Sequence, residues 1–212
     1  MLFPLRLDTD PLVIEPPWAI TSSMITEHCR IDSSDDEDVQ KVYLKAAIAW
    51  AENETHRTIF ARSSRWVLRD FPRWRDQGIL LPRGKTQSVQ SVAYSSGGET
   101  FTLTGPSSGS PAGADYQEDL RGEDGAVLMP PRGGCWPSTD CDVPAPVTIT
   151  FTAGWLASEV PADIIHAILF AISDFVEIKG TLDLDPAMIA AGGPRYFARE
   201  SLISSYRLSR WY

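Results

Sequence analysis

Gly105-Pro106-Ser107-Ser108-Gly109 matches the Gly-x-Ser-x-Gly pattern of serine hydrolases. That chemistry needs a strand entering and a helix leaving, so that the turn exposes the serine hydroxyl. Here Pro106 and Pro111 surround a Ser/Gly run and no helical pattern follows, so a chance match in a linker is the better reading. A hydrolase using Ser107 is kept only as an alternative. His28-Cys29 suggests a thiol–imidazole pair, but neighbours on a helix point about 100° apart and do not meet by themselves. His56 and His166 stand alone. Cys135 and Cys141 lack the second close pair of a structural zinc site. Asp174, Asp183 and Asp185 are carboxylates that nothing in the pattern fixes in a cleft. The acidic run Asp32, Asp35, Asp36, Glu37, Asp38 has no glycine for a calcium loop. It reads instead as the acid-rich first turn of a helix, stabilised by the helix dipole. No phosphate-binding glycine loop is present. The expectation is no enzyme, no metal and no cofactor.

The 212 residues suit one domain with an inserted lobe, and the 43% hydrophobic content can build a core. Seven tryptophans serve either as core anchors or as protein-contact anchors. A net charge of −9 argues against gripping nucleic acid over the whole surface. Charge is unevenly placed: against the acidic run, Arg57, Arg62, Arg65, Arg69, Arg73, Arg75, Arg83 and Lys85 oppose only Asp70 and Asp76. Solvated faces account for both patches. Alternatively Asp35, Asp36 and Asp38 of one copy meet Arg62, Arg65 and Arg69 of the next, head to tail in a ring. Three cysteines and an opening stretch unlike a signal peptide suggest a reducing cytosol, and no run suits a membrane span.

Certain elements must position these residues. Residues 161–179 form the most apolar helical run, with Pro161 and Gly180 as start and stop signals. Asp163, His166, Ser173, Asp174 and Glu177 leave it only a narrow polar strip, so other elements must pack around it. A helix over about 34–55 is the partner, with Val39, Val42, Tyr43, Ala46, Ala49 and Trp50 inward and Lys41, Lys45, Glu52 and Asn53 outward. Thr21 or Ser23 caps a shorter helix before it. Between the long helices lie strand patterns over 65–69, 79–81, 88–94, 99–104, 116–120, 126–129 and 147–152, with turns at Ser95–Gly98 and Gly122–Gly125. The expected fold is α+β, mainly α: a small helical bundle with an inserted β-hairpin lobe, an extended N-terminal arm and a C-terminal tail. Residues 1–20 are the arm, and 21–182 a single domain with helices about 21–58 and 161–179 and a lobe about 62–155. Residues 183–212 are the tail, ending in the aromatic and cationic anchors Tyr206, Arg207, Arg210, Trp211 and Tyr212.

This arrangement resembles the head–tail connector, or adaptor, proteins of long-tailed bacteriophages and of phage-derived gene transfer agents. The resemblance rests on the order of several stretches. Ile25-Thr26-Glu27-His28-Cys29-Arg30-Ile31-Asp32 runs into the acidic residues and then the helix through Trp50 and Glu54. Ser88-Val89-Gln90-Ser91-Val92-Ala93-Tyr94 follows. Trp136-Pro137 then leads to Val147-Thr148-Ile149-Thr150-Phe151-Thr152-Ala153-Gly154-Trp155. Val160-Pro161 opens the apolar helix, and Leu202 with Ser205-Tyr206-Arg207 lies near the end. The proline-rich first 20 residues and the Gly/Ser/Pro linker at 105–114 depart from the pattern.

The resemblance implies a non-enzymatic virion structural protein without cofactors. It implies a homo-oligomeric ring, typically a dodecamer, beneath the portal in the neck of a phage or phage-like particle assembled in the bacterial cytoplasm. DNA passes through the extended channel without specific binding, which suits the negative net charge. The ring then presents a surface to a downstream stopper or tail protein. Read from its residues, the tail named above leaves the bundle and docks in a pocket on the portal protein through its aromatic and cationic anchors; the alternative is that it folds back on its own bundle. The alternative within the neck is that the chain is itself a stopper or tail terminator.

Overall fold

The computed structural model describes residues 4–12, 19–30, 37–73, 77–106, 114–178 and 194–208. Two compact units result. One is built from the first residues up to Pro11 and the segment Phe60–Trp155; the other takes Leu12–Ile59 and Leu156–Leu208.

The β unit is organised on β8 (Val147–Ala153), whose Val147, Ile149, Phe151 and Ala153 are fully buried while the alternating threonines are half-buried. This period of two is what a pleated strand dictates. β2 (Arg62–Leu68) and β4 (Thr86–Ser96) pair antiparallel on either side of it, with Trp66 opposite Ile149 and Val92 on the other flank. β1 (Pro4–Thr9) adds to β2, and β5 (Glu99–Leu103) adds to β4, giving the order β1-β2-β8-β4-β5. A second sheet, β3-β7-β6, takes Ile79–Leu80, Val127–Met129 and Gln117–Asp119. Trp66, Phe71, Leu128 and Trp136 are buried in the core of this unit, with Phe71 and Trp136 stacked at 4.9 Å.

Two glycine sites fix its corners. Gly97 (φ 63°) and Gly98 (φ 80°) form the tight turn between β4 and β5. Positive φ at both central residues matches the twist of the flanking strands. The Asp140 carboxylate accepts from both turn amides, at 2.7 and 3.1 Å. Gly154 (φ 107°) ends β8, and a Cβ there would sit 2.6 Å from the Phe60 carbonyl carbon.

The helical unit holds α1 (Ser22–Cys29), α2 (Glu37–Thr55), α3 (Ala162–Ile178) and α4 (Pro194–Ser204). Thr21 caps α1 by accepting from the Met24 amide, and His56 ends α2 in the left-handed region. On α3, Ile164, Ala167, Ile168, Ala171 and Ile172 are fully buried, and α1, α2 and α4 all pack on this helix.

Two expectations, the hairpin lobe and the inward face of α2, are corrected. The lobe is more than hairpins: β8 pairs with strands far from it in sequence, because its inner row needs cover on both flanks. The extended arm lies on this chain over its first part, where Pro4–Thr9 bonds along β2. Within the tail, Pro194–Ser204 is helical and packs on α3. Finally, α2 faces the other way. Gln40, Leu44, Ala47, Ile48, Ala51 and Glu52 point inward, whereas Val39, Val42, Ala46 and Ala49 are exposed. Glu52 is buried because its carboxylate accepts from the Ile59 amide at 2.9 Å, closing the turn that leaves α2.

The two glycine sites differ in what a side chain would meet. Gly97→Ala adds a methyl to open space and carries only the backbone penalty, about 1 kcal/mol. Gly154→Ala adds a backbone collision and costs several times more. Urea midpoints of the two variants check this order.

Candidate docking and assembly surfaces

The C-terminal segment is held to the bundle by a chain of charged contacts. Arg199 of α4 lies with its guanidinium 4.5 Å from the centre of the Trp50 ring on α2 and donates to Asp174 on α3. Both partners of that ion pair are largely buried, at 15% and 22% side-chain exposure. One residue set thus fastens three helices. Beyond α4, Arg207 donates to Glu54 at 2.7 Å and also to Glu200. The Arg57 side chain donates to the Tyr206 carbonyl. Leu208 is buried, and its amide donates to the Thr55 carbonyl at 2.9 Å. The Tyr206 hydroxyl is pushed up in pKa, first by burial and then by Asp163.

Of the five expected docking residues, Tyr206 and Arg207 are therefore engaged in closing the helical unit. Arg210, Trp211 and Tyr212 lie outside the described residues, as do Asp35, Asp36 and Ser107. Among the remaining charge-patch residues, Asp38 pairs with Lys41 one turn on, at 3.3 Å. Arg65 lies across from β1 and pairs with Asp8 at 3.4 Å, and burial opposes but does not cancel the lowering of the Asp8 pKa that its hydrogen bond from Arg6 begins. Arg62 is half-buried and Arg69 exposed. Among the described residues of the two sets, Asp38 belongs to the helical unit and Arg62, Arg65 and Arg69 to the β unit.

His28 and Cys29 do not form a nucleophile pair. The Cys29 thiol lies 3.4 Å from the Ser173 hydroxyl. Burial pushes its pKa up, with Glu177 adding to the effect and the Ser173 contact opposing it. That is the reverse of an activated thiolate. The His28 ring meets His166 edge-on at 5.8 Å, and Phe170 stacks on His166 at 4.6 Å. Among the described residues, no group of three or more His, Cys, Asp or Glu is placed to hold a metal, and no helix is long and apolar enough to cross a membrane.

Sequence reasoning missed the exposed stripe on α2 and the Trp50–Arg199–Asp174 cluster. The stripe was detectable: Leu44, Ala47, Ile48 and Ala51 also recur at helical spacing, so α2 carries two apolar faces, and only packing decides which is inward. The cluster joins residues distant in sequence and leaves no local signal.

No family model matches the chain, and no curated protein does. Solved structures do. A chain in "Neck of empty GTA particle computed with C6 symmetry" is 21% identical, with 98% of each chain covered and a TM-score of 0.67. One in "Virion of native gene transfer agent (GTA) particle" is 22% identical over 98% of each, with a TM-score of 0.69. One in "Neck of native GTA particle computed with C12 symmetry" is 20% identical over 97% of each, with a TM-score of 0.59. The chain shares the fold of these particle components along nearly its whole length.

Arg199→Ala removes the guanidinium that pairs with the largely buried Asp174 carboxylate and is expected to cost about 2–3 kcal/mol. Arg207→Ala opens a more exposed pair and costs under about 1 kcal/mol. Denaturation followed by helical circular dichroism measures both. Alkylation in the folded state is expected to modify the exposed Cys135 and Cys141 first and Cys29 last, with peptide mass spectrometry as the readout.

Proposed function

We propose that this chain is a structural adaptor of a head–tail neck. It assembles as a ring beneath the portal of a phage or phage-like particle, extends the DNA channel and presents a surface to the next neck component. The observation that carries this reading is the match, over 98% of both chains, to a neck component of a gene transfer agent. The necks in which such chains sit were computed with six- and twelve-fold symmetry, which supports a ring of copies. A net charge of −9 suits a conduit through which DNA slides, because few cations are available to hold phosphates.

Docking on the portal falls to the last residues. Tyr206 and Arg207 set where the chain leaves the helical unit, and Arg210, Trp211 and Tyr212 supply the aromatic and cationic anchors of a hot spot. Asp38 with Asp35 and Asp36, and Arg69 with Arg62 and Arg65, stand as contacts between neighbouring copies.

Removing 209–212 while keeping Leu208 leaves the Leu208–Thr55 hydrogen bond in place, so it separates docking from folding. Mixed with its portal protein and imaged by electron microscopy, the full chain is expected to give a ring stacked coaxially on the portal. The truncated chain is expected to fold but to leave the portal bare. A full chain that ignores the portal and binds a later neck component would assign it as a stopper or tail terminator instead.

A further inference from the structure

We infer that the outward stripe of α2, Val39, Val42, Ala46 and Ala49, is where one copy of this chain packs against the next. The inference rests on the ring-forming adaptor reading.

The stripe is not needed by the fold. The opposite side of α2 already buries Leu44, Ala47, Ile48 and Ala51, each at 3% exposure or less. Yet Val42 is 62% exposed and Val39 37%. Spacings of three, four and three residues put the four side chains on one line along the helix. Valine there is doubly unfavourable for an isolated subunit: it lowers helix propensity and keeps apolar surface in water. Lysine, glutamate or glutamine would serve a solvated face better. Ala46 and Ala49 carry nothing beyond Cβ, so a facing element can approach to the short end of the usual 8–10 Å helix separation. Asp38 and Lys45 edge the stripe on one side, while Tyr43 and Trp50 are half-buried on the other. An apolar strip with a charged rim is the anatomy of a protein–protein contact.

Its chemistry selects the occupant. A nearly uncharged apolar strip offers nothing to DNA phosphates. Copies that each carry −9 repel one another at long range, so short-range apolar burial along the stripe adds what the charge patches alone do not supply to a contact between copies. In a ring of more than two copies the interface is heterologous, so the stripe meets a different surface of its neighbour rather than itself.

Val42→Glu and, separately, Ala46→Gln test this. Both positions are exposed, and both new residues favour helix. Helical circular dichroism and the unfolding midpoint are expected to match the parent chain, while the ring fraction in mass photometry, alone or on the portal, falls at least about tenfold. If Val42→Glu misfolds, Ala46→Gln decides. Variants that form rings as the parent does would overturn the stripe as the subunit contact and leave the adaptor reading standing. Intact rings that no longer take up the downstream neck component would also overturn it, assigning the stripe to that partner. A parent chain that forms no ring with or without portal would remove both readings together.

Discussion

A helix that is apolar around most of its circumference cannot be stable until other elements cover it. That constraint governs the helical unit. α3 buries Ile164, Ile168 and Ile172 completely, and a single neighbour cannot cover so wide a surface. α2 covers one flank and α1 another, and α4 returns from the far end of the chain for the rest. The return explains why so many charged groups near the C-terminus are spent on anchoring. Arg199 pairs with Asp174 over the Trp50 face, and Arg207 spans Glu54 and Glu200. The exit point of the last residues is thereby set by the packing needs of a buried helix.

The β unit solves a similar problem with a different geometry. β8 is buried on one face and paired on both edges, so it can sit only in the middle of a sheet. β1 and β5 take the edges. Charge on β1, through Arg6 and Asp8, keeps that edge from being flat and apolar. Phe101 on β5 is partly exposed but stacks on Tyr94 of its own hairpin.

Local pattern made the elements themselves legible in the sequence. Alternation in Val147–Thr152, the Gly97-Gly98 turn and the apolar run after Pro161 each carry their own signal within a few residues. What stayed hidden depends on distance along the chain. Nothing near Pro4–Thr9 announces that it will pair with β2, and nothing near Arg199 announces Trp50. Helix α2 was misread in phase because it has two apolar stripes, and periodicity alone treats them alike. Glu52 was misread because a buried carboxylate is justified only by the Ile59 amide it meets after the turn. The candidate docking residues Tyr206 and Arg207 were legible as anchors, but what they anchor first is their own helix.

The central position of β8 also bears on how the chain matures. A strand late in the sequence is the seam that joins β1-β2 to the β4-β5 hairpin, and α3, which follows it, is the element that α1 and α2 must cover. During synthesis the segments of β1, β2, β4, β5, α1 and α2 leave the ribosome before β8 and α3, the segments that unite them. Such long-range pairing slows folding and leaves apolar surface open for longer. A chain built this way completes both of its units only when its last third has been made.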